Sequence, residues 1–167
     1  IYSIGGPSAI SAVTYGTKKI KPVNKVIGPG NQFVSAAKKE VSGDIGIEAM
    51  TAGPSEVLIV ADKSSNPEWL ASDLLGQAEH DQLAQCILIS KDKNILEKTK
   101  KEVFEQLKNL PRSSIAKKSL MMNGILIYAN SDKKIIEITN KIGPEHLELN
   151  IKNYKSFVAK IKDRKST

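Results

Sequence analysis

A chain of 167 residues with 40% hydrophobic content holds enough apolar material for one ordinary domain or two small lobes. No apolar run approaches the ~20 residues that span a bilayer, and no basic-then-apolar leader opens the chain, so no membrane is expected and the cytoplasm is the default location. The net charge of +7 raises nucleic acid as a partner, but only Arg112 and Arg164 among 25 basic residues are arginine and aromatics make up 5%, which fits neither bidentate base reading nor a stacking platform.

Ile1–Ile4 is an apolar start without methionine that runs into the turn Gly5-Gly6-Pro7-Ser8, as though cut from something longer. Ala9 to Tyr15 reads as a short helix and Lys25 to Ile27 as a short strand. Gly28-Pro29-Gly30-Asn31 follows, with Asn31 placed to cap a helix over Gln32 to Val41. Phe33, Val34, Ala37 and Val41 fall on one face of that helix. Strand, glycine-rich turn and helix start can offer backbone N–H groups to an anion, or can simply be a tight turn that needs its glycines. Ile45 to Met50 alternates, and Thr51-Ala52-Gly53-Pro54-Ser55 is a second turn.

Glu56 to Ala61 is a nearly continuous apolar run, typical of a strand covered on both faces. Ser65 and Glu68 predict a capping box, with Pro67 in the first turn of a helix to Ala78 that buries Trp69, Leu70, Leu74 and Leu75. A strand at Cys86 to Ile89 holds the single cysteine, read as a buried structural thiol. A helix over Asn94 to Leu107 follows, with Ile95, Val103 and Leu107 inward, then a shorter one over Ser113 to Leu120. The strand Gly124 to Tyr128, a helix Ser131 to Ile142, an extended piece Leu147 to Leu149 and a last helix Asn153 to Lys160 complete the order. Strands alternating with helices predict a mainly parallel α/β sheet.

The chain has two histidines, and each directly follows a glutamate: Glu79-His80 and Glu145-His146. Gln77 and His80 are three apart at a helix end, so both side chains can point the same way. Their amide oxygen and imidazole nitrogen are possible zinc ligands, although two ligands do not make a site; a satisfied structural histidine is the plainer reading. Glu145 and His146 follow Gly143-Pro144 in an extended stretch, where neighbouring side chains point to opposite sides and would not pair. A neutral histidine there could accept a proton and the glutamate could activate water, against the alternative of a solvated loop pair.

Four stretches in register resemble the histidinol dehydrogenase family. They are Gly28-Pro29-Gly30-Asn31, Ala52-Gly53-Pro54-Ser55-Glu56-Val57-Leu58, Ser72-Asp73-Leu74-Leu75-Gly76-Gln77-Ala78-Glu79-His80-Asp81 and Gly143-Pro144-Glu145-His146-Leu147, and the likeness extends to about Ile161. The resemblance implies incomplete Rossmann-like lobes with mainly parallel sheets: 1–54 from the NAD-binding lobe and 55–167 from the zinc and substrate lobe. It implies oxidation of L-histidinol to L-histidine with two NAD, through an enzyme-held aldehyde, by a zinc-requiring homodimer. Gln77 and His80 would be metal ligands that also bracket the substrate. Ser55 would contact substrate and Asn31 the dinucleotide. His146 would contact substrate as the general base, and Glu145 would activate the hydrating water.

Three departures from the family pattern bear on this. Ser8 stands where the family has a glutamine on NAD, Gln82 stands where it usually has proline, and Lys162 to Thr167 does not continue towards the family's further ligands, an aspartate and a histidine donated across the dimer. The expectation is therefore a central piece of the enzyme that alone binds zinc weakly and does not turn over. The alternative is a catalytically inactive α/β binding module.

Overall fold

The structure, a computed structural model, describes residues 1–48 and 55–162. The turn expected at 51–54, the end of the alternating stretch at 49–50 and the tail 163–167 lie outside the described residues. The chain forms two compact units, Ile1–Gly53 and Pro54–Thr167.

In the first unit, helix α1 (Gly6–Tyr15) begins earlier than the sequence suggests, because Pro7 sits in its first turn, where a missing N–H costs nothing. Strand β1 (Lys25–Val26) pairs in parallel with β2 (Gly46–Ile47), and α2 (Gln32–Glu40) lies between them in the chain. Ile10, Val41 and Ile45 form the small core, with Val34 and Ala37 against it. Phe33, expected on that face, is 61% exposed. Two glycines are required before α2. Gly28 has φ 120°, and a Cβ on Gly30 would lie 2.3 Å from Cγ1 of Val34.

The second unit is a four-stranded, fully parallel sheet in the order β5-β4-β3-β6. Its strands are β3 (Glu56–Ala61), β4 (Gln85–Ser90), β5 (Gly124–Tyr128) and β6 (His146–Asn150). The helices are α3 (Pro67–Ala78), α4 (Lys93–Leu107), α5 (Ser113–Asn123), α6 (Asp132–Ile142) and α7 (Tyr154–Val158). Strand alternation divides the core in two. Val57, Ile59, Ala61, Cys86 and Leu88 pack with α3, α4 and α5, whereas Leu58, Val60, Ile87 and Ile89 pack with Ile135 of α6 and Phe157 of α7. The expected α/β fold with parallel sheets is what forms.

Two further local expectations are corrected. The N-cap of α3 is Asn66, whose side chain accepts from the Glu68 N–H; no Ser65–Glu68 box forms. Pro67 already occupies the first helical position, so the residue before it must cap. Ser65 instead accepts from the Asp62 N–H and donates to the Asn150 carbonyl, tying the β3 exit to the end of β6. Trp69 is 66% exposed rather than buried, since the inward stripe of α3 is Leu70, Ala71, Leu74, Leu75 and Ala78 and Trp69 falls off its edge. Cys86 matches the expectation: it is buried and its thiol donates to the Leu74 carbonyl.

Candidate functional site

Each parallel strand must be followed by a helix that returns to the starting edge, so α3 carries its last turn back to the amino ends of the strands. That return brings Gln77 to Ser55, 22 residues earlier. Gln77 Nε2 donates to the Ser55 carbonyl at 3.3 Å, and the Gln85 N–H donates to the same oxygen at 3.3 Å. Gln77 is half-buried, and with its nitrogen so engaged its Oε1 is the remaining acceptor of the amide. His80 lies in the turn after α3, its N–H bonded to the Gln77 carbonyl at 3.2 Å, and its side chain is exposed.

The second Glu-His pair arrives from the far end of the sequence. Gly143 ends α6 in the left-handed conformation, φ 57°, donating its N–H to the Thr139 carbonyl, and Pro144 follows buried. The chain then enters β6, where His146 pairs with Val57, two residues beyond Ser55. Glu145 lies in the bend before the strand, not in it, so strand alternation does not separate the two side chains. His146 Nε2 and Glu145 Oε1 come within 4.0 Å, closer than the sequence suggests but beyond a hydrogen bond, with 55% and 46% of each side chain exposed. The structure thus brings Ser55, Gln77 and His146 to one edge of the sheet, with His80 following Gln77 and Glu145 preceding His146.

Asn31 belongs to the first unit. Its Oδ1 accepts from the Phe33 and Val34 N–H groups, both at 3.1 Å, and so caps α2. Two of the N–H groups that an anion could have used are therefore already satisfied. The Asn31 Nδ2 makes no hydrogen bond among the described residues.

The family model for histidinol dehydrogenase matches residues 1–166. The chain belongs to the histidinol dehydrogenase family. It is 72% identical over 163 residues to the histidinol dehydrogenase of Pelagibacter ubique (strain HTCC1062) and 47% identical over 163 residues to that of Listeria monocytogenes (strain EGD-e), covering 98% of this chain in each case. The crystal structure of histidinol dehydrogenase from Elizabethkingia anophelis superposes with a TM-score of 0.90 at 45% identity over 98% of this chain. The chain spans 38% of the length of each of these relatives.

Gln77 and His80 give two donors where a catalytic zinc takes about three from protein and a structural one about four. No cluster of three or more His, Cys, Asp or Glu able to hold a metal occurs among the described residues. The described donor set alone does not fit a complete zinc site, and no chemical step is derived through the metal.

One polar residue of this edge that motif reading passed over is Glu148. It shares the strand face of His146, toward α3, and is half-buried. Burial pushes its carboxyl above the usual range, the Asn150 amide at 3.2 Å opposes that, and the Asp73 carboxylate on α3 adds to it. The available signal was period two: His146, Glu148 and Asn150 alternate with Leu147 and Leu149, so one polar row faces the helix that carries Asp73 and Gln77.

Proposed function

We propose that this chain supplies the base, the water-activating carboxylate and part of the metal site of an enzyme that oxidises L-histidinol to L-histidine with two NAD, the closing steps of histidine biosynthesis. The observation that supports this reading most is the gathering of Ser55, Gln77 and His146 at one sheet edge, although they lie far apart in sequence. Residues 1–54 belong to the NAD-binding lobe and 55–167 to the zinc and substrate lobe of a cytoplasmic homodimer.

In this reading the neutral His146 imidazole, half exposed at the start of β6, accepts the alcohol proton of the substrate. An aldehyde has no hydride to give toward the acid until it is hydrated. Glu145, within 4.0 Å of the imidazole, draws the proton from the adding water, and His146, once it has released the alcohol proton to solvent across its exposed side, takes the proton of the hydrate. Ser55 and the Gln77 Oε1 hold the substrate's polar groups. When bound, NAD would accept the hydride in each oxidation, and Gln77 and His80 would offer two donors to a zinc ion that needs further ligands. Asn31 contacts the dinucleotide through its Nδ2, which the helix cap leaves unused.

The test is a chimera in which these residues replace the matching segment of the Pelagibacter ubique relative, 72% identical. Histidinol-dependent NADH formation is expected to survive the exchange, and His146→Ala in the chimera to lower turnover by about 10²–10⁴-fold. A folded chimera without NADH formation, or full activity in the His146→Ala form, would sink the reading.

A further inference from the structure

At the opposite end of the same sheet, the carboxyl ends of β3, β4 and β5 enclose an open cleft of about 550 Å³. Its walls are Asp62 and Lys63 after β3, Lys91, Asp92 and Lys93 between β4 and the start of α4, and Tyr128 at the end of β5. Open parallel sheets bind ligands at this edge, and the volume lies within the ~300–1,000 Å³ of small-molecule pockets. The catalytic reading above uses the amino edge and leaves this cleft without a role.

The polar groups of the cleft are not equally free. Asp62 Oδ1 accepts from the backbone and hydroxyl of Ser64, and its Oδ2 accepts from the Lys152 N–H at 3.0 Å. Burial alone would raise the Asp62 carboxyl, but these hydrogen bonds outweigh it and hold the group ionised and satisfied. Asp92 caps α4, accepting from the Asn94 N–H at 2.8 Å. Both acids therefore spend lone pairs on their own backbone. The donors are less committed. Lys91 pairs with Asp132 at 2.5 Å, but Lys93 only rests its ammonium 4.8 Å from the centre of the Tyr128 ring. Lys63 is exposed and pairs with no described carboxylate. Asp62 and Asp92 keep their negative charge, but with their lone pairs spent on backbone donors the groups left to hydrogen-bond a ligand are the ammonium groups of Lys63 and Lys93, neither of them paired with a described carboxylate, and these suit an anion. The cleft is far larger than a bare phosphate, and half-exposed Tyr128 offers an apolar wall for a body attached to it.

We propose that this cleft binds a small phosphate monoester, its phosphate held by Lys63 and Lys93 and its organic body laid against Tyr128. Inorganic phosphate, glucose 6-phosphate and adenosine monophosphate are the probes, titrated into the isotope-labelled 167-residue chain at low ionic strength and followed by amide chemical shifts. The expected result is saturable shifts at residues 62–63, 91–93 and 128, with at least one of the two esters binding at least about threefold tighter than inorganic phosphate. Whichever ester is tighter separates a sugar-like body from a nucleoside. Lys63→Ala and Lys93→Ala should each weaken binding at least about threefold, the exposed positions leaving the fold intact. Asn31→Asp should leave the ester's affinity unchanged, which separates this cleft from the loop assigned to the dinucleotide. No saturable shifts, equal affinity for all three probes, or binding lost in Asn31→Asp and retained in both lysine variants would overturn the proposal. None of these outcomes bears on the catalytic reading.

Discussion

Asn31 carries two separable duties, and one pair of substitutions divides them. Its Oδ1 accepts from Phe33 and Val34, each at 3.1 Å, while its Nδ2 has no described partner. Asn31→Ala deletes both duties. Loss of an N-cap costs about 1 kcal/mol, and up to about 2 in favourable sites. For a unit this small that is roughly 4–8 °C in melting temperature per kcal/mol. Asn31→Asp keeps an acceptor in the same place, and a carboxylate at a helix N-terminus contributes a further ~0.3–1 kcal/mol. It therefore melts at or above the parent. It also removes the amide donor and places a negative charge where a dinucleotide pyrophosphate would approach. Losing a hydrogen bond to a charged group costs about 1.5–3 kcal/mol, which is at least about tenfold in KM for NAD. The assays are thermal unfolding of the chain by circular dichroism and KM for NAD in the Pelagibacter chimera. If Asn31→Asp melts as low as Asn31→Ala, the cap is not what holds α2 in place. If Asn31→Asp leaves KM unchanged, the dinucleotide does not touch Asn31.

Glu148 makes stability depend on pH. Its folded carboxyl lies above the usual 4.5, so its contribution is complete below pH 4.5 and is lost as pH rises through the folded value. Glu148→Gln should flatten that part of the urea-midpoint profile, and an unchanged slope would contradict the burial argument. Cys86 is held by burial at a pKa of about 11, against a usual 9.0, with the Ser119 hydrogen bond opposing. At pH 8 the native chain should resist thiol reagents until urea unfolds it, and labelling at the free-thiol rate would show the core to be open. Since Gln77 and His80 are only two donors, zinc in the purified chain, read by elemental analysis after dialysis, should be well below one per chain. A stoichiometric zinc that disappears in His80→Ala would show that further ligands assemble around them.

Local rules were enough for the features that local forces decide. The Asn31 cap, the span Pro67–Ala78 of α3 and the strand Gly124–Tyr128 all follow from side chains within a few residues of each other. Where local reading slipped, one residue of phase was at fault: Asn66 rather than Ser65 caps α3, and Trp69 lies just outside the buried stripe. The Glu145–His146 approach was missed because alternation holds only within a strand and Glu145 precedes one.

By itself the sequence determined the element order, the parallel α/β class, the family and the candidate side chains, because periodicity, capping and motif order are properties of short windows. It could not determine that those side chains meet. Ser55 reaches Gln77 because a parallel crossover returns the helix to the edge where the strand began. His146 lies beside Val57 because β6 crosses back over the sheet to pair with β3 instead of extending past β5. Strand order is chosen by burial across the whole sheet, with both faces of β3 covered, and no window of sequence contains that information.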